Sequence, residues 1–567
     1  MSWEIPGTNQ VMSCTWRPIA LFLLSAAALA AAAPPAPHWL SAGESLYREG
    51  RLPTGEALPG SLKGDRTVQG MAMTCASCHM ASGLGSSEGG SNEGGVRIPP
   101  IHGSALFQPR YGALPRLQGA ERERLGLQAP PLRPAYTDAS LARALRSGLD
   151  PAGREFNEVM PRYALTDSHM ALLIRYLKAL SATPPPGVDG KTIRFATVIG
   201  SEVNAADREA MLKPLQSFLA FNNDMPRTFG HRMFRSPAGR NLIQDHRTYT
   251  LEPWILSGPP STWRRQLEAR YRKAPVFALL GGISYGSWRP IHDFCEARRI
   301  PCILPITDLP VVSDKSWYTL YFSRGLRQEG EAAARFLASG PAAATGSRVV
   351  QVVQGAAGRA LAEGFRAAWQ ELGRPGARTL ELADGERVDP ARLRDLVSGE
   401  PPAALLLWAE SGVLEALGPG LVPAADSLPL LVSGGAWKER LYGLPEALRG
   451  RAYITFPYRH PDDEARALRN TVPSLALEAD RRDSPRIASR MYSLVQILSK
   501  AFLAMDGAYY RDNLFDRIGL LPDQSLPDFE RLGFGPGQRY ASKGCYVMQL
   551  SAGPEPRLLK RSDWVIH

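Results

Sequence analysis

The spacing of apolar and polar positions along this chain changes near residue 183. Before that point, three short stretches have helical periodicity, at 41–49, 139–147 and 167–180, and long loops rich in Gly and Pro separate them. After it, short apolar runs alternate with amphipathic stretches of helical length. The pattern predicts a helical N-terminal domain followed by parallel sheets with helices on both faces.

The second part contains two successive series of alternating strands and helices. The first series has strands at 193–199, 249–255, 276–280 and 302–306 and helices at 206–222, 262–272 and 290–298. The second has strands at 349–353, 379–382, 403–408, 428–432 and 452–456 and helices at 359–372 and 390–397. A long helix at 484–505 and β-like segments at 546–550 and 557–566 complete the chain. Two such series predict two α/β lobes.

The N-terminus has the features of an export signal. Arg17 precedes a short apolar run at 19–29, and alanines at 30–33 follow it. This order is typical of a secretory signal peptide, and the run is shorter than the ~20 residues that span a bilayer. We therefore expect a signal peptide at residues 1–33, cleavage near residue 33 and a periplasmic mature protein. An uncleaved anchor is the alternative.

Composition and charge restrict the partners. The chain has 567 residues, too many for one hydrophobic core, and a formal net charge of +11. Its Arg residues are scattered and form no dense run, so we expect no nucleic-acid partner. A short segment rich in proline, residues 183–190 (TPPPGVDG), divides a domain at 41–182 from a domain at 191–567.

The motif C-A-S-C-H at Cys75, Cys78 and His79 carries the strongest chemical signal. Two thiols in one helical turn can form thioether bonds to one haem, and the adjacent His then becomes an iron ligand. Zinc would need further Cys or His ligands nearby, and a redox dithiol would need a surrounding βαβ pattern. We therefore expect one covalent haem c. Among the other cysteines, Cys295 and Cys302 could form a disulfide in an oxidising compartment, whereas Cys545 has no evident partner.

The second axial ligand is predicted to be Met160. It lies in the sequence N-E-V-M-P-R-Y, where Pro161 stiffens the loop that would hold the thioether against the iron. The alternative is that Met160 is an ordinary core residue. The other candidates for this position are Met71, Met73, Met80 and His102.

Several motifs in 41–182 together resemble class I cytochrome c domains. They are Gly43-Glu-Ser-Leu-Tyr47, C-A-S-C-H, Ser82-Gly-Leu-Gly85, Glu88-Gly89, Met160-Pro161 and a C-terminal helix. The resemblance implies an all-α fold in which the first and last helices cross beside the haem. It also implies axial ligation by His79 and Met160, which suits single-electron transfer.

Residues 191–567 resemble type 1 periplasmic binding proteins, which serve branched-chain amino acid and amide transporters of the ABC class. The resemblance rests on the segments KTIRFATVIG, VFALLGGIS, and RVVQVVQ followed by GRALAEGFRAAWQELG. It implies two lobes that close on a small solute. Because ligands bind beyond the carboxyl ends of parallel strands, the candidate contacts are Ser201, Gly281, Gly282, Ser284, Thr307, Asp308, Trp408, Glu410 and Ser433.

A zwitterionic amino acid is not the expected solute. Relatives commonly place an aromatic residue where this chain has Gly355-Ala-Ala-Gly358, and an acidic residue where it has Ser433-Gly-Gly435. We expect an exported electron carrier with a fused small-solute-binding clamshell domain for docking or sensing. The alternative is a periplasmic solute receptor of an ABC-type transporter with an accessory haem domain. An enzyme is the less favoured class, since no catalytic residue set is evident.

The partners follow from these two functions. An electron carrier needs a redox partner protein, which would be a dehydrogenase, another cytochrome or an oxidase. A clamshell domain takes a small organic solute. A membrane partner is compatible with the sequence, but no feature of it encodes one.

Overall fold

The structure is a computed structural model that describes residues 38–63, 66–87, 97–111, 132–233, 246–313, 315–340, 348–409, 428–467, 485–535 and 537–566. The expected signal peptide at 1–33 lies outside these residues. So do Glu88 and Gly89 of the cytochrome-like motifs, and Glu410 of the candidate solute contacts. Within the described ranges, every helix is too short or too polar to cross a membrane.

The N-terminal region, residues 38–182, contains the predicted helices. Helix α1 continues directly into a π-helical turn at Ser45–Glu49. The α-helices are α1 His38–Glu44, α2 Cys75–His79, α3 Gly103–Leu106, α4 Asp138–Ser147 and α5 Asp167–Ala179. Helices α1 and α5 pack against each other, as expected for the first and last helices of this region. Gly43 permits the close approach, because a Cβ there would lie 2.5 Å from Cβ of Tyr176.

The prediction that this region is all-α is corrected, because short antiparallel strands accompany the helices. Strand β1 Pro59–Leu62 pairs with both β2 Arg66–Gln69 and β7 Arg162–Tyr163. Two further pairs join β3 Ser86–Ser87 to β4 Arg97–Ile98 and β5 Arg110–Tyr111 to β6 Leu132–Arg133. These strands have two to four residues, too few for periodicity to distinguish them from loops.

The first lobe has a five-stranded parallel sheet in the order β12-β11-β10-β8-β9. Its strands are β8 Thr192–Ile199, β9 Thr248–Ile255, β10 Ala278–Leu280, β11 Cys302–Ile303 and β12 Thr319–Leu320. Its helices are α6 Ala205–Met233, α7 Trp263–Lys273 and α8 Arg289–Arg298. Helix α6 extends beyond the predicted end at 222, although Pro214 and Pro226 lie inside it.

The second lobe has an eight-stranded mixed sheet in the order β14-β13-β15-β16-β17-β18-β19, with β20 also paired to β18. Its strands are β13 Val349–Gln354, β14 Arg378–Leu382, β15 Ala404–Trp408, β16 Leu430–Ser433, β17 Ala452–Phe456, β18 Gly544–Leu550, β19 Leu558–Lys560 and β20 Val565–Ile566. Its helices are α9 Leu326–Ser339, α10 Gly355–Glu371, α11 Pro390–Val397, α12 Gly434–Trp437 and α13 Glu446–Arg449. The prediction of two α/β lobes is confirmed.

The chain passes between the lobes three times: after β12, after β17 and before β18. The second passage leads to α14 Pro485–Met505 and α15 Arg511–Gly519, and α14 packs against α6 of the first lobe. One apolar core runs through both lobes, for example from Phe195 to Val352. A separate core covers the other face of each sheet. Residues that follow β10, β11, β13 and β16 line a common space between the two lobes.

Candidate functional site

Helix α2 places both motif thiols and the motif imidazole on a single turn. Thr74 caps its N-terminus, because the Thr74 hydroxyl accepts from the Ser77 amide at 3.1 Å. Cys75 is buried and Cys78 is partly exposed, and both are free thiols. Burial raises the pKa of the Cys75 thiol to about 11. The helix presents the three groups with the spacing that thioether attachment requires.

The His79 ring is buried and oriented by one hydrogen bond. Its Nδ1 lies 2.8 Å from the carbonyl oxygen of Pro99, whereas its Nε2 has no hydrogen-bond partner among the described residues. Burial lowers the pKa of His79 and favours the neutral imidazole. A backbone carbonyl on one ring nitrogen fixes the tautomer and leaves the other nitrogen as a ligand. The donor set therefore fits a haem attached at α2.

Met160 shares an apolar cluster with Cys75. It is partly buried and packs against this cluster, which also contains Leu106 and Tyr163. The rival His102 begins helix α3, and its Nδ1 lies 2.9 Å from the Ser104 hydroxyl. Ligation by Met160 stays a prediction.

A cleft between the lobes has a volume of about 500 Å³. Its lining from the first lobe comprises Tyr285, Gly286, Ser287, Asp308 and Leu309. Its lining from the second lobe comprises Leu326, Ala356, Ala357 and the segment 436–440. The small residues leave room for a solute, and the remaining side chains supply both signs of charge and two aromatic rings.

An ion pair crosses this cleft. Lys438 of the second lobe places Nζ 3.0 Å from a carboxylate oxygen of Asp308 in the first lobe. The same Nζ lies 5.8 Å from the ring centroid of Tyr285. The Tyr285 hydroxyl is held in turn by Asp207 and by the Asn204 side-chain amide. Charged and aromatic groups from both lobes are thus within reach of one small molecule.

A smaller, deeper cavity of about 20 Å³, enough for about one water molecule, adjoins the cleft at Asp308 and Leu326. Arg490 of α14 contributes to its lining and is bonded to the Asp528 carboxylate at 3.0 Å and to the Tyr458 hydroxyl at 2.6 Å. Thr307 also lines this cavity. A buried guanidinium whose charge is balanced by a buried carboxylate stabilises the junction of the lobes only while both partners are present.

Glu329 forms the floor of this cavity as a buried carboxylate. It accepts hydrogen bonds from the hydroxyls of Ser433 at 2.7 Å and Thr455 at 2.8 Å, and from the Gly435 amide at 3.1 Å. Burial nevertheless raises the pKa of Glu329 to about 7, since desolvation of the charge outweighs these bonds. Glu329 ties helix α9 to the ends of β16 and β17.

Among the predicted solute contacts that the structure describes, only Thr307 and Asp308 line these two cavities. Ser201 is exposed and donates to the Gly258 carbonyl. Gly281 and Gly282 have positive φ, and a Cβ on Gly281 would lie 3.0 Å from the Met491 methyl, so both form a packed turn. Ser284 is buried and bonded to Glu202.

In the second lobe, Trp408 is buried in the core and Ser433 is turned towards Glu329. The structure therefore places Gly281, Gly282, Ser284, Trp408 and Ser433 in structural positions.

The sequence did not reveal Tyr285 and Lys438 of the cleft or Glu329, Tyr458 and Arg490 of the deeper cavity. Most of them lie on loops or helices rather than at the first residue after a strand. Lys438 does follow β16 closely and has a positive φ of 52°. A charged residue shortly after an apolar strand is a signal that could have identified Lys438. No local feature of the sequence distinguishes Arg490 from the other arginines.

Cys295 and Cys302 are neighbouring buried thiols that are not joined in a disulfide. Burial, and next the contact with Cys302, raise the pKa of Cys295 well above its usual range. Cys545 is likewise a buried free thiol.

No family model matches the sequence, and no curated protein matches it. Solved structures are similar to it at low identity. They include a fatty acid ABC transporter substrate-binding protein from Thermomonospora curvata, with 16% identity, a TM-score of 0.45 and coverage of 68% of this chain and 95% of that chain. A second is a solute-binding protein of an ABC transporter from Rhodopseudomonas palustris HaA2 in complex with p-hydroxybenzoic acid, with 15% identity, a TM-score of 0.48 and coverage of 66% and 97%.

A third is an ABC transporter substrate-binding protein from Sphaerobacter thermophilus, with 14% identity, a TM-score of 0.48 and coverage of 66% and 98%. These values are low. The two-lobed architecture is established by the strand pairing of this chain itself.

Proposed function

We propose that this chain is an exported binding protein that holds a small organic solute between its two lobes and carries one covalent haem in its N-terminal region. The observation that carries the solute-binding part of this proposal is the cleft of about 500 Å³, which residues of both lobes line. The ion pair between Asp308 and Lys438 crosses this cleft. Clefts of this size between two lobes are the usual sites for small ligands.

The lining supports a solute with an apolar body and a polar or charged group. Ala356, Ala357 and Leu309 offer apolar surface, and the Tyr285 ring is held in place through its hydroxyl. Lys438 supplies a cation that a solute anion can share with Asp308. A receptor of this kind would work in the periplasm and deliver its solute to a membrane transporter, which would be its partner.

Titration with a panel of solutes tests the proposed solute binding. Trp437 lines the cleft, so solute binding should change the tryptophan fluorescence. The panel contains p-hydroxybenzoic acid, benzoate, leucine and a fatty acid. We expect saturable binding of at least one acid, weakened at least tenfold by Lys438→Gln and unchanged by Lys560→Gln, a control outside the cleft. Fluorescence that no compound changes would argue against the receptor.

The haem half rests on the donor set at α2. Cys75 and Cys78 would hold the group through thioether bonds, and His79, oriented by Pro99, would ligate the iron. Met160 is the proposed ligand on the other side. With both axial positions filled, such a haem supplies one-electron transfer. An electron carrier with a redox partner protein is therefore the second candidate function.

Absorption spectroscopy of the purified holoprotein tests the haem. Thioether-linked haem should stay with the polypeptide through acid–acetone extraction, and its reduced spectrum should be that of a c-type cytochrome. Release of all porphyrin into the solvent would exclude covalent attachment.

A further inference from the structure

The turn directly after the C-A-S-C-H helix is held by a carboxylate from a distant part of the chain. Asp516 of α15 accepts from the backbone amide of Ala81 at 3.0 Å and from that of Ser82 at 2.9 Å. Ser82 is fully buried, and its carbonyl accepts from the Ser181 hydroxyl at 2.7 Å. A carboxylate that accepts two adjacent amides fixes the course of the backbone at that point.

This turn is connected to the group that orients His79. The Gly85 amide donates to the His79 carbonyl at 3.1 Å, and the Ile101 amide donates to the Gly83 carbonyl at 2.8 Å. The segment between β4 and Ile101 contains Pro99, whose carbonyl contacts Nδ1 of His79. The position of the turn therefore affects the position of the imidazole.

Helix α15 is itself fixed to the first lobe. The Arg511 guanidinium donates to the carbonyls of Val276 at 2.7 Å, Phe277 at 3.0 Å and Arg299 at 3.1 Å. One turn before Asp516, Asp512 forms an ion pair at 2.6 Å with Arg48 of the N-terminal region. A second ion pair joins Arg299 to Glu44. One short helix thus contacts both the sheet of the first lobe and the haem motif.

We infer that Asp516 is a positioning residue for the haem-attachment segment, supplied by the solute-binding part of the chain. This inference rests on the proposed covalent haem. Through Ala81 and Ser82, Asp516 holds the turn that positions Pro99 and the His79 ring. It also places one negative charge beside the attachment segment. The consequence is that the potential of the haem depends on a residue that lies 437 positions after its ligand in the sequence.

Asp516→Asn in the full-length holoprotein tests the inference, with Asp512→Asn as the matched control on the same helix. Asn retains one acceptor oxygen in place of two and removes the charge. We expect hydrogen exchange of the peptide covering residues 80–85 to accelerate roughly tenfold, the factor for one lost hydrogen bond of about 1.4 kcal/mol. The reduction potential should rise, because a nearby carboxylate stabilises ferric iron. Asp512→Asn should leave the exchange of this peptide within about twofold of wild type.

A second variant separates positioning from packing. Asp516→Glu keeps the charge and both acceptor oxygens, so its haem should retain the wild-type potential. Attached haem with unchanged exchange and unchanged potential in Asp516→Asn would overturn the inference and leave the proposed function intact. A potential raised equally by the Glu and Asn substitutions would overturn it as well. Absence of covalent haem in the wild type would refute the haem proposal itself, and with it this inference.

Discussion

The N-terminal region and the two-lobed region build their candidate sites in opposite ways. At α2, the two thiols that would attach haem and the first axial ligand lie within five consecutive residues, and one turn of helix brings them together. In the cleft, Asp308 and Lys438 meet across 130 positions of sequence, and beside the deeper cavity Glu329 meets Thr455 across 126. A site made within one turn can be identified from the sequence, whereas a site made by strand order and lobe packing requires the tertiary structure.

The largest expected effect concerns the haem-attachment motif on α2. Replacing both Cys75 and Cys78 by Ser should abolish covalent haem completely, because thioether bonds need the two sulfurs. Haem content of the denatured polypeptide, measured by absorption, checks this. Cys545→Ser removes a buried thiol far from α2 and should keep full haem content. Covalent haem in the double variant would mean that attachment does not depend on this motif.

The next effect concerns the buried charges beside the cleft. Arg490→Met leaves the Asp528 carboxylate, which is fully buried, without its cation. The free energy of unfolding should fall by about 3–5 kcal/mol, as measured in urea. Arg531→Met breaks the exposed pair with Asp523 and should cost less than about 1 kcal/mol. Equal losses of unfolding free energy in the two variants would show that burial does not increase the contribution of the Arg490 pair to stability.

Glu329 should make stability depend on pH. Its pKa in the folded protein is about 7, above the ordinary value of 4.5. The folded state therefore binds this proton more tightly than the unfolded state, and its contribution is fully present below pH 4.5. The free energy of unfolding should fall by about 3 kcal/mol between pH 4.5 and 7 and then level off. Urea unfolding of wild type and Glu329→Gln across this pH range checks the prediction. The difference between their free energies of unfolding should change by about 3 kcal/mol. A constant difference would contradict the prediction.

The smallest effect concerns the ion pair between the lobes. Lys438 is half exposed, so Lys438→Gln should lower the free energy of unfolding by less than about 1 kcal/mol. The same substitution removes an ion pair that holds the lobes closed. A loss of up to about 1 kcal/mol lowers the ratio of closed to open forms by up to about fivefold. Small-angle scattering of the solute-free protein should show a larger radius of gyration. Lys560→Gln is the control, and an unchanged radius in Lys438→Gln would mean that the pair does not hold the lobes together.

The α/β lobes were predictable because their strands are buried on both faces. Runs such as 349–353 and 403–408 are almost wholly apolar and are separated by amphipathic helices, and the structure places strands β13 and β15 there. The short strands of the N-terminal region were not predictable. Gly60 pairs with Val68 and Tyr163, and such a contact depends on partners about 8 and 100 residues away.

The sequence by itself determined the helices of the N-terminal region, the two α/β lobes and the local arrangement of Cys75, Cys78 and His79. These features follow from periodicity and from spacing within one turn, which are local properties of the chain. The tertiary structure decided that Lys438 lines the cleft and Arg490 the deeper cavity, while Trp408 and Ser433 are buried in the protein core. It also brought Asp516 to the turn after the C-A-S-C-H helix. Contacts of this kind arise only when packing selects, among many similar polar side chains, the few that end up facing one another.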